Sequence, residues 1–150
     1  MRSHEKWMEV ALEEARRAAA IGEVPVGAAV VHEGEILGRG ANRTEREQDP
    51  TAHAEMIAIR EAADRLGSWR LLGCTIYVTL EPCAMCAGAL VLSRIDRLVY
   101  GADDPKAGMC GSLGNVVQDP GLNHRVEIVR GIRAGECGEL LRGFFRARRG

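Results

Sequence analysis

The sequence has no apolar run approaching the roughly 20 residues that a membrane-spanning helix needs. Its start, MRSHEKWMEV, is polar where a secretory signal carries an apolar core, so the cytoplasm is the expected compartment and no membrane partner is expected. It has no internal repeat, no low-complexity segment and no linker; 150 residues with 46% hydrophobic content then predict a single domain over 1–150. It also has almost no net charge. Charged residues make up 27% of the chain and sum to −1, the balance of a folded globular protein and not of a disordered one. Its five cysteines are odd in number and irregularly spaced, which in a reducing compartment argues against a disulfide framework.

Neutrality overall conceals a basic end. From Arg125 onward, seven arginines meet three acids, Glu127, Glu136 and Glu139, a surface on which phosphate could dock. Upstream, Trp7, Met8, Ala11, Leu12, Ala15 and Ala19 recur at helical spacing after Ser3, a residue suited to an N-cap, and predict a first helix that stops at Gly22. VGAAVV, HEGE and ILGRG read as a hairpin turning at Gly34. The polar stretch ANRTEREQDP reads as a loop that delivers the chain to a helix from Ala52 through Leu66, capped by Thr51. CTIYVTL is a buried strand, and Pro82 is placed to open a third helix over CAMCAGALVLS. RLVYG and HRVEIVR are strands on either side of a glycine-rich loop, GADDPKAGMCGSLGN, before a last helix from Gly135 to Arg149. Helices interleaved with strands predict an α/β sandwich with a mixed sheet, in which only the hairpin is obliged to be antiparallel.

The chemistry centres on TLEPCAMCAG. A single C-x-x-C, here Cys83 and Cys86, serves redox enzymes, closed structural zinc sites and catalytic metals alike, and Cys74, Cys110 and Cys137 supply no second pair. PTAHAEM adds His53 and Glu55. One imidazole and two thiolates make three protein ligands, which leaves the fourth tetrahedral position of a zinc ion open to water, the arrangement of a catalytic site. Cys83 and Cys86 are three apart, so they share a helix face near an N-terminus that stabilises anionic sulfur. Glu55 lies roughly 200° around a regular helix from His53, which suits it to a separate role, taking a proton from the water and returning it to a substrate nitrogen. Together the four residues match the H-x-E and P-C-x-x-C signature of zinc-dependent nucleobase deaminases.

Over nearly its whole length the chain resembles the bacterial tRNA-specific adenosine deaminases of the cytidine deaminase superfamily. The resemblance is carried by EVPVGA at 23–28, DPTAHAE at 49–55, YVTLEPCAMCAGA at 77–89, the GADDPKAG loop, NHRVE at 123–127 and FFRARR at 144–149. The last three sharpen the assignment, because the metal motif alone suits guanine, cytosine or pterin-like deaminases equally. The resemblance implies a three-layer α/β/α cytidine-deaminase-like fold with a central five-stranded mixed sheet, a homodimer, one Zn2+ per subunit, and conversion of adenosine to inosine at the wobble position of a tRNA anticodon stem-loop. It implies that His53, Cys83 and Cys86 bind zinc, that Glu55 shuttles protons, and that Asn42 and the Ala54 backbone hold the flipped base. Asp104 and Lys106 would contact sugar and phosphates, and Phe145, Arg148 and Arg149 would grip the anticodon loop, with Phe144 in the core and Phe145 partly exposed for stacking. An acidic pair, Asp103 and Asp104, tempers phosphate contact in that loop. Competing readings are a free-base deaminase acting on guanine or cytosine, a noncatalytic zinc-stabilised RNA-binding module, and a redox protein using Cys83 and Cys86.

Overall fold

The computed structural model describes residues 2–149, without the side chains of Arg2 and Arg149. In chain order the elements are α1 (Arg2–Ala20), β1 (Gly27–His32), β2 (Glu35–Ala41), α2 (Thr44–Glu47), α3 (Ala54–Leu66), β3 (Cys74–Leu80), α4 (Ala84–Leu92), β4 (Arg97–Ala102), a single 3-10 turn (Val116–Gln118), β5 (Glu127–Arg130) and α5 (Ala134–Arg149). The strands form one five-stranded mixed sheet in the order β2-β1-β3-β4-β5. β1 is antiparallel to β2 and to β3, while β3, β4 and β5 run parallel. No helix among the described residues is long and apolar enough to cross a membrane.

Side chains alternate between the two faces of a strand, and here the alternation builds two cores. Val30, Ile76, Val78, Leu98 and Tyr100 face α3 and α4, packing with Ala54, Ala58, Ala62, Ala87 and Leu90. Val31, Tyr77 and Val99 face the other way, onto Met8, Ala11 and Leu12 of α1 and Cys137 of α5. The result is three layers, with the sheet in the middle. The hairpin turns as its sequence requires, with Glu33 and Gly34 both at positive φ, 49° and 77°.

Four local expectations are corrected. Ser3 lies inside α1 instead of capping it. The polar stretch after β2 contains a short helix, α2, whose first N–H groups are bound by the distant Glu23 carboxylate, a partner no local pattern discloses. α3 begins at Ala54 with His53 as N-cap, because the Thr51 hydroxyl is spent on Asp49 Oδ1 at 2.7 Å. α4 begins at Ala84 with Cys83 as N-cap, so Pro82 stands just outside the helix.

β2 and α3 touch through their backbones. A Cβ on Gly40 would sit 2.1 Å from the Ala54 carbonyl oxygen, and one on Gly38 would sit 2.2 Å from that of Ala58. Glycine on the strand and alanine on the helix let the two approach without side chains between them. That approach fixes the height of the helix start that carries His53 and Glu55.

Candidate active site

Two helix N-termini meet just beyond the carboxyl end of β3. His53 and Cys83 are both N-caps in extended conformation, with φ −80° and −76°, so their side chains project from the helix mouths. Neither forms a side-chain cap hydrogen bond with its own helix. Cys86 adds a second thiol one turn into α4 and is fully buried. His53 Nδ1 lies 3.6 Å from Cys83 Sγ and 3.5 Å from Cys86 Sγ, and the three donor atoms are all within 4.8 Å of one another. A tetrahedral zinc with ordinary Zn–N and Zn–S lengths separates its nitrogen and sulfur ligands by about 3.5 Å. The cluster is therefore consistent with zinc in both donor chemistry and spacing.

Of the three donors, only Cys83 is biased towards the form that binds a metal. Hydrogen bonds from Cys86 and from the His53 ring hold the Cys83 thiol well below its ordinary range. Cys86, hydrogen-bonded to the Cys83 sulfur and buried, is pushed far up, and His53 is raised by its bond to Cys83. A cation binding all three donors would displace the protons that Cys86 and His53 are inclined to hold. Glu55 is 4% exposed, and burial pushes its carboxyl up to about 7 against the opposing pull of a backbone N–H and the His53 ring. A carboxyl titrating near neutrality can accept and return a proton at working pH.

His53, Glu55 and Cys83 open onto a cavity of about 280 Å³ lined by the apolar Val24, Val26, Ala54, Leu80 and Ala107 and by Asn42, Thr44, Glu81 and Asp104. Asn42 is 8% exposed; its Nδ2 donates to the Val24 carbonyl across a long 3.5 Å, and its Oδ1 is buried without a partner. A buried amide oxygen left unpaired costs about 1–3 kcal/mol, which a donor on a bound base would offset.

A groove of about 530 Å³ continues from the cavity, sharing Val24, Leu80 and Asp104 and adding Lys106, Arg142 and Phe145. Phe145 is 46% exposed and offers a stacking face in the groove that Lys106 also lines. Asp104 Oδ1 accepts from the N–H groups of Lys106 and Ala107, so one of its oxygens shapes the turn. Asp103 is turned to accept from the Tyr100 hydroxyl.

The basic end is less free than its composition suggests. Arg142 and Arg146 both pair with Glu139, and Arg133 pairs with Glu9 and Glu136. Arg148 donates to the Gly22 carbonyl at 2.6 Å, lies 3.8 Å from Glu45 and stacks over Phe144, which places it outside the groove. Phe144 is accordingly half-buried under that guanidinium and not in the core. The side chain of Arg149 lies outside the described residues.

Two functional-looking residues escaped the sequence reading. Glu23 and Glu81 are carboxylates exposed by only 1% and 2%; Glu23 gathers N–H groups of α2, and Glu81 gathers those of the loop after β4. An acid in EVPVGA or TLEP carries no local mark of burial, since its partners are 22 to 31 residues away.

The MafB19-like deaminase family matches residues 2–149. A tRNA-specific adenosine deaminase from Bacillus subtilis (strain 168) is 52% identical over 146 residues, covering 97% of this chain and 91% of the relative. One of the same name from Haemophilus influenzae is 50% identical over 97% of this chain and 84% of its own. A solved structure from a study of A-to-I editing by tRNA:A34 deaminases at the wobble position of transfer RNA superposes with a TM-score of 0.87 at 46% identity, covering 91% of this chain and 99% of that one.

Proposed function

The chain belongs to the MafB19-like deaminase family and, within it, to the tRNA-specific adenosine deaminases, and we propose on that premise that it converts adenosine to inosine at the wobble position of a tRNA anticodon. It is a hydrolase acting on tRNA. The observation that carries the reading is the His53, Cys83 and Cys86 cluster with the buried Glu55 beside it, at the wall of a cavity small enough for one base.

His53, Cys83 and Cys86 would hold a zinc ion, one per subunit. When bound, zinc supplies a Lewis acid that brings the pKa of a coordinated water towards 7. The rest falls to the protein. Glu55 takes a proton from the attacking water, delivers one to N1 of the adenine ring as C6 is attacked, and assists ammonia to leave. Its buried carboxyl can make both transfers because it titrates near neutrality. Asn42 offers its unpartnered amide oxygen to a donor on the base, and the Ala54 backbone supports the base from the start of α3. Val24, Val26 and Leu80 exclude bulk water from the reaction.

A base must leave its stack to enter such a cavity, and an anticodon stem-loop presents it unpaired. Asp104, Lys106 and Phe145 then meet the flanking sugar, phosphate and base along the groove, and Arg148 and Arg149 lend positive charge at the end of α5. The groove favours RNA over a free base, which would need the cavity alone. We further propose that the chain acts as a single domain, as a homodimer and in the cytoplasm; exposed Leu92 and Leu113 offer apolar surface that a second copy could cover.

The test is inosine formation in an anticodon stem-loop bearing adenosine at the wobble position. A guanosine stem-loop, free guanine and free cytosine are the controls. Ammonia released from a free base, with no inosine from the stem-loop, would overturn the reading.

A further inference from the structure

Glu81 stands between β3 and the first zinc-ligating cysteine and borders the same cavity, yet both its carboxylate oxygens are taken up by the loop that follows β4. Oε1 accepts from the Asp104 N–H at 3.0 Å and from the Ser112 hydroxyl; Oε2 accepts from the Cys110 N–H at 3.0 Å and the Ser112 N–H at 2.9 Å. Four donors converge on one side chain that is 2% exposed. The contact is close as well as polar. A Cβ on Gly108 would fall 2.3 Å from the Glu81 carboxyl carbon, so only glycine allows the loop to wrap the acid. The strand-end backbone joins in, since Glu81 N–H donates to Ala102 and Met109 N–H donates to Pro82.

We infer that Glu81 is a positioning residue that fixes the substrate loop 104–112 against the metal-binding segment, setting where Asp104 and Lys106 meet the RNA. The inference rests on the reading that those two side chains contact substrate. The acid does not touch the reacting base; it acts through Asp104, whose N–H it holds while the Asp104 side chain caps the Lys106 and Ala107 N–H groups. An amide cannot replace it. Glutamine brings one acceptor and one NH2 group, and the Cys110 and Ser112 N–H groups must keep the acceptor. The NH2 group then faces the Asp104 N–H, donor against donor, while the Ser112 hydroxyl can rotate to accept. Glu81→Gln therefore releases the loop at Asp104 and leaves the rest of the cage closed.

The experiment measures KM, kcat, zinc content and melting temperature for Glu81→Gln, for Ser112→Ala, and for Glu81→Gln in an Asp104→Ala, Lys106→Ala background, with the wobble-adenosine stem-loop as substrate. Loss of one buried hydrogen bond to a placed loop should raise KM about tenfold in Glu81→Gln and about threefold in Ser112→Ala, with kcat within about twofold and zinc unchanged. In the double-substituted background the further rise in KM should shrink to about twofold or less, because residues that act through one another are not additive. A purely structural acid would lower melting temperature and zinc content together while the folded fraction kept its KM, and that result overturns the inference. So does an undiminished rise in the Asp104→Ala, Lys106→Ala background. If Glu81→Gln does not fold, Ser112→Ala decides by the same KM criterion. If Asp104→Ala with Lys106→Ala leaves KM untouched, it is the RNA-contact reading that fails, whatever Glu81 does.

Discussion

Replacing Gly40 with alanine should disable the enzyme from a position that touches neither metal nor substrate. The new Cβ would lie 2.1 Å from the Ala54 carbonyl oxygen and 2.9 Å from the Ala58 nitrogen. A relaxed C···O contact needs about 3.3 Å, so strand and helix must part by about 1.2 Å at this point. The helix start moves because Gly40 sits beneath its first turn, and that turn carries His53 and Glu55. A misplacement of about 1 Å costs about a hundredfold in rate, and overpacking adds about 1–3 kcal/mol of destabilisation. Gly38→Ala is the matched control: it clashes equally, at 2.2 Å, but against Ala58, one turn farther from the site. Both variants should melt at similarly lowered temperatures, while inosine formation falls about a hundredfold in Gly40→Ala and about tenfold or less in Gly38→Ala. Equal activities for the two at equal stability, with zinc retained, would refute the claim that this backbone contact sets the geometry of the site.

Other outcomes follow from the site itself. Glu55→Gln should fold and bind zinc like the parent yet lose about 10²–10⁴ in kcat, the contribution of a placed acid and base; single-turnover assays on the stem-loop with metal analysis check it. Chelation should lower the melting temperature and abolish turnover, with both restored by added zinc. Zinc affinity should fall as pH drops, because binding needs Cys86 as thiolate and His53 neutral, and both are held towards their protonated forms; calorimetry in buffers of differing ionisation enthalpy would count the protons released. Phe145→Ala should weaken stem-loop binding by about 1–3 kcal/mol without altering zinc content. Lys106→Ala should reduce the salt slope of binding by about one, whereas an unchanged slope would remove the groove from the phosphate path.

The elements themselves were legible because each carried a strong periodic signal bounded by turn residues. CTIYVTL and RLVYG alternate between two buried faces, and the Glu33-Gly34 turn matches its hairpin. Their starts were harder to read. Thr51 and Pro82 are good helix openers by local chemistry, but Thr51 is captured by Asp49, and the chain leaves β3 through Pro82 before Cys83 takes the cap position. The antiparallel pairing of β1 with β3 arises because α3 carries the chain from β2 across β1 to a β3 that runs parallel to β2, a tertiary fact beyond any window of sequence. In the site, spacing and residue type singled out His53, Glu55, Cys83 and Cys86 because metal chemistry restricts both. Glu23 and Glu81 stayed hidden because their work depends on distant segments, α2 and the loop after β4, folded over them. Arg148 looked like a free cation and is instead tied to Gly22.

His53 and Cys83 leave their own helices without side-chain caps. The opening N–H groups of α3 and α4 therefore lack the usual side-chain cap, and a cation seated between the two mouths would pin both first turns at once. Amide exchange at residues 54–56 and 84–86 should then fall as metal occupancy rises, in both stretches together. Two stretches thirty residues apart would report one event, a signature of loading that can be read without substrate and without turnover.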